Sequence, residues 1–156
     1  MKSDPKILDA LNEVLTAELT AVNMYFLASK LFRHWGFEGL AGYMRKESID
    51  EMKHAEALID RILYLDGLPN VQRLNKVKIG ETVPEQFTLD LEEEHAAVAR
   101  LNTFIELARS LGDHGTDELL RKILVSEEEH VDWLATQIYL SAPLGDTPYL
   151  ADQIRR

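Results

Sequence analysis

Three pairs of residues in the chain have a spacing suited to metal chemistry. Glu51 and His54 stand three apart in "EMKH", Glu92 and His95 in one "EEEH", and Glu127 and His130 in a second. On a helix, Glu-x-x-His places a hard oxygen and an imidazole nitrogen on one face, which suits a transition metal. Whether all three pairs serve a metal depends on which face of its helix each one occupies.

The helices can be read from their ends. Asp4-Pro5 has the form of an N-cap followed by proline at the first helical position, and the pattern runs to about His34, before Trp35-Gly36. A second helix is expected from about Glu38 to Leu65, stopping at "DGLPN". Thr82 and Glu85 have capping-box spacing with Pro84 in the first turn, and that third helix ends near Leu111-Gly112. A fourth is expected from about Thr116 to Leu140, broken by "APLGDTP", and Thr147-Pro148 caps a short fifth. No stretch alternates like a strand, so the class is all-α, a four-helix bundle with a short fifth helix.

The breaks near 36 and 113 are short, which makes each flanking pair of helices an antiparallel hairpin. Asp66 to Glu81 is a segment of 16 residues. Extended, it reaches about 50 Å, enough to run the ~40 Å length of a helix and join the hairpins by a long crossover. Its sequence "LPNVQRLNKVKIG" alternates apolar and polar residues that can pack on the bundle, which argues against a disordered linker.

Within these helices the inward seams select the acids. Positions 8, 11, 15, 18, 22, 25, 29 and 32 read Leu, Leu, Leu, Glu, Val, Tyr, Ser, Phe, an apolar seam interrupted by Glu18. In the third helix, 87, 91, 94, 98, 101, 105 and 108 read Phe, Leu, Glu, Val, Leu, Ile, Ala, interrupted by Glu94. Glu51 and His54 lie on the seam of the second helix, Glu127 and His130 on that of the fourth. Four buried carboxylates without compensation would be untenable, and two divalent cations would supply it.

A repeat ties the set together. Glu18 to Glu94, Glu51 to Glu127 and His54 to His130 each span 76 residues, as do Leu15 to Leu91, Val22 to Val98 and Leu58 to Leu134. Two similar hairpins related by a pseudo-two-fold would hold two metals between them. One Glu from each of two helices plus Glu-x-x-His from the other two is the di-iron carboxylate ligand set. The plain alternative is six solvated or salt-bridged side chains, which a lone Glu-x-x-His would not displace but this register does. Glu92 and His95 fail the test: they lie off the seam and match Thr16 and Leu19 at the same offset. His34 and His114 lie near helix ends, where capping or solvation accounts for them.

Composition sets outer bounds. A length of 156 residues fits a single domain spanning the chain, and 46% hydrophobic residues are ample for a core. The absence of cysteine excludes disulfides, thiolate metal sites and thiol catalysis. A net charge of −10 opposes nucleic-acid binding and is compatible with gathering cations. No apolar run reaches membrane-spanning length, and "MKSDPKILDA" lacks the apolar region of a signal peptide, so a cytoplasmic location is expected.

With these motifs in place, the chain resembles the bacterioferritins over essentially its whole length. The resemblance is carried by "LNEVLTAELTAVNMYFLASKLF", "ESIDEMKHAEALIDRILYLDGLPN", "LEEEH" and "ILVSEEEHVDWLATQI". It implies a ferritin-like bundle that assembles from dimers into a hollow 24-subunit shell. Fe(II) would be oxidised by O2 or H2O2 at a di-iron ferroxidase centre of two Fe ions per subunit, and a ferric mineral stored inside. Glu51 and Glu127 would bridge the irons, with Glu18, His54, Glu94 and His130 as terminal ligands. Tyr25, on the seam beyond Glu18, would hydrogen-bond a ligand or pass an electron, with a plain core tyrosine as the alternative. A small ferredoxin is the implied reductant for iron release.

Met52 follows a ligand and points about 100° from the seam, as a partly exposed methionine would. A second apolar strip on the first helix, with Leu19 and Phe26 around Asn23, suggests burial against another subunit. The resemblance assigns Met52 to haem b, one haem per subunit pair. Several relatives carry tyrosine and histidine where this chain has Arg45 and Lys46, and that histidine is associated with an inner-wall iron site beside the match of Asp50. Lys46 is a poor cation ligand, which puts that relay in doubt here. Glu47, also on the inward seam, is open to two readings: iron in transit, or a salt bridge with Lys46 or Arg45. The rival functions are a di-iron oxidase or peroxidase without storage, and a haem electron carrier with a vestigial metal site. A DNA-protecting mini-ferritin is disfavoured by the charge and by a site complete within one chain.

Overall fold

The computed structural model describes residues 3–154, apart from the side chains of residues 142–144. Five helices form there: α1 (Pro5–His34), α2 (Glu38–Tyr64), α3 (Val83–Ser110), α4 (His114–Leu144) and α5 (Asp146–Gln153). α1 packs along α2 and α3 along α4, with α1 also meeting α3 and α2 meeting α4. This is the expected bundle of two hairpins joined by a long crossover, with α5 packed on α4 and α2.

Local chemistry sets the boundaries. The Asp4 carboxylate accepts from Lys6 N at 2.8 Å and the Thr82 hydroxyl from Glu85 N at 3.2 Å, capping α1 and α3. α1, α2 and α3 close in the same way, with paired backbone bonds Phe37 N to Phe32 O, Gly67 N to Ile62 O and Asp113 N to Ala108 O. The left-handed residue of that motif is Gly36 (φ 93), Asp66 (φ 59) and Gly112 (φ 71) in turn. Gly36 and Gly112 are themselves 76 residues apart, so the repeat extends to the hairpin turns.

α4 departs from expectation at both ends. It begins at His114 rather than Thr116 because the Asp113 carboxylate caps it, accepting from Thr116 N at 3.1 Å. It runs past Leu140 to Leu144, since the chain leaves the helical path only at Gly145 (φ 77). That glycine, not Thr147, then precedes α5.

Two apolar clusters fill the bundle. One gathers Leu11, Leu15, Leu58, Ile62, Leu101, Ile105, Leu120 and Ile123. The other gathers Tyr25, Phe32, Leu40, Met44, Phe87, Leu134 and Tyr149. On every long helix the seam acid falls between them: 15 and 25 flank Glu18, 44 and 58 flank Glu51, 87 and 101 flank Glu94, and 123 and 134 flank Glu127. The sequence thus builds a polar layer at mid-bundle, closed by hydrocarbon above and below.

The crossover is tied to α1 by a polar stripe one turn apart. The Asn12 amide donates to Leu68 O at 3.2 Å and its oxygen accepts from Asn70 N at 2.8 Å. Arg73 Nε donates to the Thr16 hydroxyl at 3.3 Å, and Asn75 N to the Thr20 hydroxyl at 2.9 Å. At the far end Gly80 N donates to the Gln86 side chain at 2.7 Å.

Candidate metal centre

The mid-bundle layer brings Glu18, Glu51, His54, Glu94, Glu127 and His130 together. Their donor atoms form two overlapping groups, each within 4.8 Å: Glu18, Glu51, His54 and Glu127, and Glu51, Glu94, Glu127 and His130. Glu51 and Glu127 belong to both. His54 Nδ1 lies 3.5 Å from Glu18, 3.8 Å from Glu51 and 3.3 Å from Glu127. His130 Nδ1 lies 3.1 Å from Glu51, 3.6 Å from Glu94 and 3.7 Å from Glu127. The two halves are near mirror images in the chemistry they offer.

Whether these residues fit a pair of cations is tested by their own unmet bonding. Glu18 Oε2, Glu51 Oε1, His54 Nδ1, Glu94 Oε2, Glu127 Oε1 and His130 Nδ1 are each buried without a hydrogen-bond partner. That is one orphaned donor atom on every one of the six, all directed into a single layer. Buried groups in proteins are normally satisfied, so an orphan on each marks a layer suited to a positive counter-charge. Imidazole among carboxylates suits iron or a similar transition ion rather than Mg2+ or Ca2+, which take oxygen ligands. The set fits.

The electrostatics agree. Burial, then the neighbouring carboxylates, pushes Glu51 and Glu94 well above the ordinary carboxylate range, and Glu18 moves in the same direction. Glu127 goes the other way: burial opposes it, but the close polar groups of Glu94, His130, His54 and Glu51 hold it well below. Burial would depress both imidazoles, yet the carboxylates close around them outweigh it, raising His54 to about 10 and His130 further. Metal ions entering the layer would displace the protons that its raised carboxyls and imidazoles retain.

Tyr25 is buried, and its hydroxyl donates to Glu94 Oε1 at 2.6 Å. Burial and the charges of Glu94, Asp90 and Glu51 push its pKa well up, so it stays a donor. A cavity of about 20 Å³ between α1 and α3 borders the layer, lined by the small side chains of Ala17, Ala21 and Ala97 with Glu93 and Arg100. Lys78 Nζ on the crossover lies 3.4 Å from Glu93 Oε1.

The remaining expected residues fall elsewhere. Glu92 and His95 are exposed, outside the cluster, as are His34 and His114. Met52 is 55% exposed, and Phe26, Leu27 and Ile49 are exposed apolar residues of the same two helices. Lys46 pairs with Asp50 at 3.7 Å. Among the described residues Glu47 forms no ion pair with Lys46 or Arg45; its carboxylate meets Nε2 of His130, and with Asp50 and His130 it forms a further group that could hold a cation. Asp90 and Gln86, both buried polar residues beside the layer, were not anticipated. Their i, i+4 spacing in α3 is the signal that could have revealed them.

A bundle of this topology with this acid and histidine layer is ferritin-like, and the ferritin-like domain profile matches residues 8–140. The chain is 49% identical to bacterioferritin from Mycobacterium leprae over all of its own length and 98% of that protein. It is 49% identical to bacterioferritin from Streptomyces coelicolor, over all of its own length and 93% of that protein. The solved structure of Mycobacterium tuberculosis bacterioferritin BfrA superposes with a TM-score of 0.97 at 49% identity, covering 99% of this chain and 97% of that one. The chain belongs to the bacterioferritin family.

Proposed function

We propose that this protein stores iron, oxidising Fe(II) at the mid-bundle layer and holding the ferric product inside a 24-subunit shell. The observation that carries the reading is the pair of overlapping ligand groups with an orphaned buried atom on all six members. Glu18 and His54 would hold one iron, Glu94 and His130 the other, with Glu51 and Glu127 shared. Each Fe(II) would give one electron to O2 or H2O2. The chain's residues do the rest: the raised Glu51 and Glu94 carboxyls release protons as iron enters, and Tyr25 orients Glu94. Met52 would hold a haem b shared by two subunits, supported by its exposure and that of Ile49 one turn before it on α2. Bacterioferritin relatives at this identity support storage over simple oxidation.

The test adds Fe(II) anaerobically to wild-type, Glu18→Ala and Glu94→Ala protein, then follows ferric absorbance on addition of O2 or H2O2. Initial rates should fall at least about tenfold in both variants, the scale of losing a metal ligand's contribution. Unchanged rates would defeat the site assignment. On gel filtration the shell elutes near 24 chains of 17.8 kDa. A dimer there would leave an oxidase without storage. Met52→Leu should remove the haem Soret band and leave the shell, whereas retained haem refutes that ligand.

A further inference from the structure

The two metal positions look equivalent until the outer nitrogen of each histidine is considered. His130 turns Nδ1 toward Glu51, Glu94 and Glu127, and Nε2 toward Glu47 on α2. Glu47 is 2% exposed, one turn before Glu51, and Oε2 has no hydrogen bond other than what this ion-pair contact can supply. Its flanking cations do not neutralise it, since Lys46 is engaged with Asp50 and Arg45 is exposed. An imidazole that offers Nδ1 to a cation carries its proton on Nε2, and a buried carboxylate there fixes the tautomer, locks the ring and strengthens the donor.

Among the described residues the other half has no such group. Adding the 76-residue offset to Glu47 gives Ile123, which is buried and apolar. The ion pairs of His54 all run through Nδ1, and its side chain is 16% exposed against 5% for His130. The repeat that makes the six ligands symmetrical is therefore broken at one position in their surroundings. Glu47, Asp50 and His130 could themselves be read as a third cation group. That use would need Nε2 stripped of its proton while Nδ1 also holds a metal, so orientation of His130 is the cheaper role.

We propose that Glu47 is the positioning carboxylate of His130, and that it makes the His130 side of the centre the tighter position, the one that fills first. The inference rests on the di-metal reading above. It predicts loading in order, with the more open His54 position exchanging faster.

Co(II) serves as the probe, titrated anaerobically into the assembled protein and followed by its visible absorbance. Anomalous scattering from crystals loaded with about one Co(II) per chain shows which position is occupied. In the wild type the first ion should lie between Glu94 and His130. Glu47→Leu should weaken the first binding step about 10–100-fold, the usual cost of removing such a partner, and erase the positional preference. Glu47→Gln, which keeps an acceptor without the charge, should fall between, and carries the test if the leucine variant does not assemble. Wild-type affinity and order in the variants would overturn the proposal, as would first filling at His54. Absence of Co(II) from all six ligands in the wild type would overturn the di-metal reading along with it.

Discussion

Asp90 is a carboxylate that burial has made costly. It is 1% exposed, with one oxygen held by the Gln86 amide at 2.8 Å and the other unpartnered. Burial raises its pKa from 3.8 to about 7, with the Gln86 hydrogen bond opposing and the charge of Glu93 adding. A group whose folded pKa is raised contributes stability that is full below the unfolded value and erodes as pH rises through the folded one. The erosion here spans from about 4 to about 7. Asp90→Asn keeps an acceptor for Gln86 and removes the charge, so it should stabilise the metal-free protein by about 1–3 kcal/mol at pH 8, a few degrees in Tm, with little effect near pH 4. Thermal unfolding across that range checks it, and an unaltered pH dependence would refute the assignment. Single residues were readable from sequence when the seam and the repeat both constrained them. Glu94 was separated from Glu92 and His95 that way. Glu47 was not, because what it touches depends on the rotation of a side chain on another helix.

The crossover shows how far an element can be read from its length. Sixteen residues between Asp66 and Glu81 were enough to infer that it runs the length of the bundle, and its alternation that it packs. The docking surface went unread: Asn12, Thr16 and Thr20 repeat every fourth residue, which places one polar stripe on α1. Asn12 contributes two of the bonds, one to Leu68 O and one from Asn70 N. Asn12→Ala should therefore loosen the start of the crossover while leaving the helices in place. Amide exchange at Asn70 should speed up about 5–30-fold, the effect of losing about 1–2 kcal/mol locally, with α2 and α3 core amides unchanged. Uniform acceleration throughout would show that the stripe supports the whole fold instead. The end of α4 was misplaced for a related reason: proline residues near 143 and 148 signalled a break, but the positive φ that ends the helix belongs to Gly145.

The bundle as a whole is built from two hairpins whose shared layer works against it until cations arrive. Glu51 shows the conflict most clearly, since burial and then the charge of Glu18 and Glu127 push its pKa well up. Folding at neutral pH must either bind a proton there or bury a repelled charge, and the contribution worsens as pH rises. Glutamine has the shape of the protonated acid without that cost, so Glu51→Gln should raise the unfolding temperature of metal-free protein at pH 8. The same change removes a carboxylate shared by both ligand groups. Wild-type protein should gain about 2.7 kcal/mol per site when Co(II) stands at a hundredfold its dissociation constant, while the variant should gain little. Calorimetry with EDTA and then with Co(II) should thus show the order of stability reverse. If the variant is the less stable one in EDTA, the layer is held by its own hydrogen bonds and does not wait for metal. If the order reverses, the glutamates so plainly out of place on four apolar seams are retained for the cations, and the stability of the empty bundle is what they cost.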